Sequence, residues 1–212
     1  MSRIVEKVTA FVTRSSEDGQ DLLLFQHPNA GVQVPAGTVE EGETPEAAVL
    51  REAVEETGLA PLTIRRALGC TEQRLPEGQR VIDQPTKVYA RPDPTSFDWA
   101  YLRTGIRVTA SRRSSGFSQV TYEEYDCEPD RRYVTMAITG WVPDEVLADT
   151  ICRHFYELVY AGPTEERWTV FTDNHTFTLF WAPLADLPEI VAPQNEWLEL
   201  LFRESSLPAP GR

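Results

Sequence analysis

A chain of 212 residues, 41% of them hydrophobic and including five Trp, seven Tyr and nine Phe, is long enough to bury a sizeable core as one large domain or as a domain with an insertion. Its net charge of −13 opposes nonspecific binding to nucleic acid or to an anionic membrane, and no basic run overrides it, since Arg112-Arg113 and Arg131-Arg132 are only pairs. Three cysteines, Cys70, Cys127 and Cys152, are odd in number, widely spaced and without a CxxC pair, which suggests neither a disulfide framework nor a zinc site but buried thiols in a reducing cytoplasm.

Met1 to Lys7 lacks the apolar run of a signal peptide, and no apolar stretch of about 18 residues follows, so the expectation is a soluble cytoplasmic protein. Ile4 to Thr13 alternates as a strand with Val8, Ala10 and Val12 on one face. Ser15 to Gly19 is a turn, and Leu22 to Gln26 a strand whose run Leu22-Leu23-Leu24-Phe25 marks burial on both faces. His27 to Gly31 breaks that run, and Val32 to Val34 leads into a glycine- and acid-rich stretch, Gly37 to Leu59. Extended chain resumes from Leu62 to Cys70.

The closing strands are Ile151 to Ala161, Arg167 to Thr172 and Thr176 to Ala182, the last two joined by Asp173-Asn174-His175, with Phe177, Leu179 and Trp181 pointing inward. A helix from about Gln194 to Arg203 carries Trp197, Leu200 and Leu201 on one stripe and covers the sheet, and residues 205–212 form a frayed, flexible tail. Between the halves lies about Thr71 to Thr150, without which roughly 130 residues remain, a usual domain size. Its strand candidates are Lys87 to Arg91, Ile106 to Arg113, Phe117 to Asp126 and Arg132 to Thr139, with turns at Ser114-Ser115-Gly116 and Glu128-Pro129-Asp130 and a short helix from Val142 to Asp149. The expectation is an inserted antiparallel β meander that serves dimer contacts or roofs a site; the alternative is that it extends the main sheet.

Within Gly37 to Leu59, Thr44 is an N-cap, Pro45 the first helical residue, Glu46 a carboxylate in the first turn and Gly58 a C′ stop, which predicts a helix over about Pro45 to Thr57. Glu52, Glu55 and Glu56 fall at i, i+3 and i+4 and share one face, opposite Ala47, Leu50 and Val54. Like charges so close repel, so that face is either simply solvated or the seat of a divalent cation.

The flanks narrow the choice. Gly37, five residues, Glu43, seven residues, Arg51-Glu52, a small apolar residue, any residue, Glu55-Glu56, any residue, Gly58, Leu59 resembles the Nudix box in every specified position, Ala53 being smaller than the aliphatic residue usual there. The resemblance implies a Nudix-like α/β/α sandwich with a mixed sheet, residues 1–204 interrupted by the β-rich insertion at about 71–150. It implies a pyrophosphohydrolase that cleaves the phosphoanhydride bond of a nucleoside diphosphate linked to another moiety, through metal-activated water attack on phosphorus. Glu52 and Glu56 would ligate Mg²⁺ or Mn²⁺, with Glu55 as ligand or general base, Glu52 the second choice for the base, and the Gly37 carbonyl as a further ligand. Oxygen-only ligands favour such hard ions. Arg51 and Glu43 would be a structural pair, although Arg51 can equally meet Glu55 at i+4, and Gly58 closes the motif.

Family members often add a carboxylate from outside the box, for which Glu157, Glu165 and Glu166 are candidates. No substrate-binding residue is assigned. His27, His154 and His175 read as loop or packed histidines, Arg65, Arg66, Arg74 and Arg91 as surface, and Phe25, Phe155 and Tyr156 as core. Pro76 is a weak hint of ADP-ribose, and neither a coenzyme A nor an NADH-type signature is found. The alternatives are a non-catalytic Nudix-fold ligand-sensing or partner-binding protein, whose relatives often lose box acids, and an isomerase of the isoprenoid diphosphate type.

Overall fold

The computed structural model describes residues 3–17, 19–126, 133–172 and 175–203. The expected positions of Asp18, Cys127, Glu128-Pro129-Asp130, Arg131-Arg132, Asp173-Asn174 and the tail lie outside the described residues.

The first half forms strands β1 (Ile4–Ser16), β2 (Gly19–His27), β3 (Gly31–Gln33) and β4 (Ala36–Thr38), helix α1 (Pro45–Thr57) and strand β5 (Thr63–Arg74). Then come β6 (Gln79–Ile82), β7 (Thr86–Tyr89), β8 (Asp98–Leu102), β9 (Arg107–Ser114), β10 (Phe117–Tyr125), β11 (Val134–Pro143) and the two-residue β12 (Leu147–Ala148). The chain closes with β13 (Thr150–Val159), β14 (Arg167–Thr172), β15 (His175–Pro183) and helix α2 (Gln194–Phe202).

The main sheet is mixed, in the order β14-β15-β2-β1-β13-β5, with β3 added to β2 and β4 to β1. β1 and β13 run parallel, from Ile4 beside Thr150 to Thr13 beside Val159. As the alternation predicts, Val8, Ala10 and Val12 share one face, joined by Leu23, Phe25, Phe177, Leu179 and Trp181, and Ala48, Val49 and Ala53 of α1 pack on it. Phe11, Leu22, Leu24 and Phe155 face the other way, against Trp197 and Leu201 of α2. Each fully buried large side chain contributes about 1.5–3 kcal/mol, so a sheet covered on both sides is the stable solution, an α/β/α sandwich.

The intervening chain makes a separate seven-stranded antiparallel sheet, order β12-β6-β9-β10-β11-β7-β8, around Ile82, Val88, Leu102, Val108, Val120 and Val142. The expected meander is its centre, β9-β10-β11, and β6 and β8 are additional strands. β8 escapes sequence reading because it is an edge strand with exposed aromatics, Trp99 and Tyr101, instead of an alternating apolar face. Thr71 to Arg74 still belong to β5, paired with Arg153 to Thr150 of β13. The short helix expected over Val142 to Asp149 is instead the end of β11, a single 3₁₀ turn at Asp144–Val146, and β12. Asp144 anchors that turn by accepting from Ser118 Oγ at 2.6 Å and donating its N–H to the Gly116 carbonyl at 2.9 Å. No helix among the described residues is long and apolar enough to cross a membrane.

Candidate active site

Helix α1 starts and ends where its residues dictate. Thr44 Oγ1 accepts from the Ala47 N–H at 3.3 Å, Pro45 occupies the first turn, and Gly58, at φ 71°, turns left-handed while its N–H reaches the Val54 carbonyl at 2.8 Å. Its orientation differs from the expected wheel: Ala48, Val49, Ala53, Glu56 and Thr57 are buried, whereas Ala47 and Val54 face solvent. The small Ala48 and Ala53 let the helix lie close on the sheet, and Glu56 is drawn inward to accept from the Ala36 N–H of β4 at 2.9 Å. Ala53, small for its position, is therefore fully buried rather than a packing defect.

Strand β4 receives a second carboxylate. Glu52 Oε1 accepts from the Thr38 N–H at 3.1 Å, and a Cβ on Gly37 would overlap the Glu52 carboxyl group, so only glycine admits this approach. Arg51 ties the remaining acids together. It donates to both oxygens of Glu43 at 3.0 and 2.9 Å and to the Thr38 carbonyl at 3.0 Å, and it lies 3.0 Å from Glu52 and 3.3 Å from Glu55. Arg51 thus meets both of the partners left open by the sequence. Its hydrogen bonds hold the Glu43 carboxyl below the usual carboxylate range. Burial has the opposite effect on Glu52 and, outweighing Arg51, pushes its pKa up.

Glu52, Glu55, Glu56 and Gly37 all line one cavity of about 960 Å³. Its far wall comes from the second sheet: Asp83 and Pro85 before β7, Tyr101 of β8, and Arg103 and Gly105 before β9. Gly105 makes one of the contacts that dock the second sheet, beside the buried cluster of Val5, Leu75, Val81, Ala148 and Ile151 and the Arg3–Asp83 pair at 3.0 Å. At φ 84° and packed against Thr38, it accepts at its carbonyl from Lys7 Nζ at 3.0 Å. Lys7 is a cavity-lining residue that sequence reading missed; its only signal is a lysine just before the apolar alternation of Val8, Ala10 and Val12. Burial, then the charges of Arg153 and Arg107, lower its pKa to about 8, against the pull of Glu52.

The other sequence candidates lie elsewhere. Glu157 is almost fully buried on the α2 side, paired with Arg65 at 3.0 Å and Arg66 at 2.6 Å; Glu166 holds Arg14 at 2.7 Å; Glu165 is exposed. None of the three lines the cavity; the acids that do line it beyond α1 are Glu6, Glu40, Glu41, Glu43 and Asp83. Pro76 is exposed and does not line the cavity. His27 packs on His175 at 4.7 Å and Phe177 at 5.2 Å, and Phe25 stacks on Phe177 at 4.5 Å. Arg74 pairs with Asp149 at 3.6 Å.

The expectation of buried thiols needs correction, because Cys70 is exposed and Cys152 only partly buried. Cys70 and Cys152 come together with His154, all three ligand atoms within 4.8 Å of one another, the only such trio among the described residues. The α1 carboxylates are spaced more widely, because Glu52 and Glu55 are drawn to Arg51 and Glu56 to Ala36. As a donor set they still fit a hard divalent ion: oxygen ligands only, two of them largely buried and fixed by backbone N–H groups, beside a glycine cradle.

The NUDIX domain family profile matches residues 5–135. Among solved structures, the NUDIX domain of Shewanella oneidensis NrtR, in a cocrystal structure with ADP ribose, aligns with 95% of this chain and 88% of that one, at 14% identity and a TM-score of 0.48.

Proposed function

The chain belongs to the Nudix family, and from that premise we propose that it is a metal-dependent pyrophosphohydrolase cleaving the diphosphate of a nucleoside diphosphate joined to another moiety. The observation that carries this is the convergence of Glu52, Glu55, Glu56 and Gly37 on one cavity whose size suits such a ligand, about 960 Å³ against the roughly 300–1,000 Å³ usual for small-molecule pockets. In this reading residues 1–204 form one hydrolase domain interrupted by the β-rich segment, which roofs the site.

Glu52 and Glu56, with the Gly37 carbonyl, would hold Mg²⁺ or Mn²⁺, which when bound would neutralise phosphate oxygens and lower the pKa of water. Glu55, the most exposed of the three acids, accepts the proton from the attacking water, and Glu52 is the second choice for that role. Arg51, bonded to Glu43 and to the Thr38 carbonyl, keeps the loop before α1 in place against β4. Lys7 and Arg103 face the same cavity and meet the diphosphate's negative charge.

Glu55→Gln and Glu56→Gln test the proposal. Glu55→Gln should lower turnover by about 10²–10⁴-fold, the range for a lost acid–base group, and Glu56→Gln should remove most turnover through loss of a metal ligand, both with an unchanged circular dichroism spectrum. Unchanged turnover in both variants would sink it. Tight nucleotide binding with no turnover in the parent chain would favour a ligand-sensing protein instead.

A further inference from the structure

A second group of ligand-type side chains lies outside the acid face. Cys152 and His154 stand two residues apart on β13 and so share a face; Cys70 of β5 is directly opposite His154, and Glu6 of β1 is directly opposite Cys152 on the other side. Three paired strands of the main sheet therefore carry the group, and no loop has to close around it.

The side chains converge as their register allows. Cys152 Sγ is 3.7 Å from His154 Nε2, and Glu6 Oε1 is 3.1 Å from the same nitrogen. In a tetrahedral zinc site, Zn–S of about 2.3 Å and Zn–N of about 2.0 Å put sulfur and nitrogen about 3.6 Å apart. The observed spacing already matches that value. Two sulfurs and an imidazole select a soft or borderline ion, whereas the α1 acids offer only hard oxygen.

We propose that Cys70, Cys152 and His154, with Glu6 as fourth ligand, form a zinc site distinct from the hard-metal acids of α1. Glu6 also lines the large cavity, so zinc held here fixes a residue of the catalytic cavity's wall. The site does not depend on the hydrolase reading.

The test uses the full chain in a phosphine-reduced buffer, titrated with zinc against a chromophoric chelator and, separately, with cobalt(II) followed by absorption. One equivalent of zinc should bind, and cobalt should give tetrahedral d–d bands with a thiolate-to-cobalt charge-transfer band. Cys70→Ser and Cys152→Ser should each reduce that band, removing one of its two thiolates, and weaken zinc by at least roughly 100-fold, the upper end of the loss expected from an outer-shell partner alone. Glu6→Gln, which leaves both thiols in place and is the safer variant for folding, should weaken zinc by roughly tenfold. Glu52→Gln should leave the zinc titration unchanged. Unchanged zinc affinity in both serine variants, a cobalt spectrum without charge transfer, or loss of the zinc equivalent in Glu52→Gln would each overturn the proposal. So would a Cys70–Cys152 disulfide in the isolated chain that, once reduced, binds no zinc.

Discussion

Replacing Lys7 by Met should make the protein more stable and less active. The ammonium is held among Arg153, Arg107 and the Gly105 carbonyl with its pKa lowered from 10.5 to about 8, chiefly by burial. That lowering, at about 1.36 kcal/mol for each tenfold in proton affinity, means that the charged form costs about 3 kcal/mol of folding stability at neutral pH. Met removes that cost and also the hydrogen bond to Gly105, worth about 1 kcal/mol, leaving a net gain of about 2 kcal/mol at pH 7. The sign with pH follows from proton uptake. Between about pH 8 and 10.5 the unfolded chain keeps the Lys7 proton that the folded chain has lost, so the parent protein gains stability as pH rises through that window. The variant lacks this gain. Urea unfolding of both proteins from pH 7 to 10 measures the difference, which should shrink from about 2 kcal/mol toward zero or change sign. Parallel profiles would refute the burial of a charged Lys7. At pH 7 the variant's kcat/KM should fall by roughly tenfold or more, because the cavity loses a cation that is charged below about pH 8.

Two further outcomes follow from the geometry. Gly105→Ala, at φ 84° and against Thr38 and Lys7, should destabilise the chain by about 2 kcal/mol in urea unfolding and speed amide exchange around residues 83–85 and 103–106; unaltered exchange would mean that this contact does not dock the second sheet. Glu157→Gln should also cost about 2 kcal/mol, less than the 3–5 kcal/mol of a wholly buried pair because its arginine partners reach solvent. Its turnover should equal that of the parent, and a collapse of metal-stimulated turnover without loss of stability would return Glu157 to the catalytic set.

The parts of the fold governed by local physics were legible in the sequence. Thr44, Pro45 and Gly58 bound α1 because capping depends on neighbours a few residues away. The alternation of Val8, Ala10 and Val12 and the run from Leu22 to Phe25 assign faces because a strand's period is two. Which side of α1 turns inward was not legible: β4 draws Glu56 under the helix, so Val54 is left in solvent although it is the more apolar residue. Glu157 shows the same limit, since a carboxylate in an apolar strand reads equally as ligand or as half of an ion pair until Arg65 and Arg66 of the adjacent β5 are in place. Cys70 and Cys152 meet only through the β5–β13 register, which no local spacing reveals. Lys7 meets Gly105, in the turn before β9, only once the two sheets are docked.

The most direct test of the central claim is product analysis after incubating the full chain in ¹⁸O-labelled water with Mg²⁺ or Mn²⁺ and ADP-ribose, dinucleoside polyphosphates, nucleotide sugars or oxidised nucleotides. Cleavage of at least one diphosphate linkage, dependent on the metal and with the label on a product phosphate, is the expected result. Absence of cleavage across the whole set with either metal, or cleavage that persists undiminished in a chelator, would contradict the assignment of Glu52, Glu55 and Glu56 to a hydrolytic metal site.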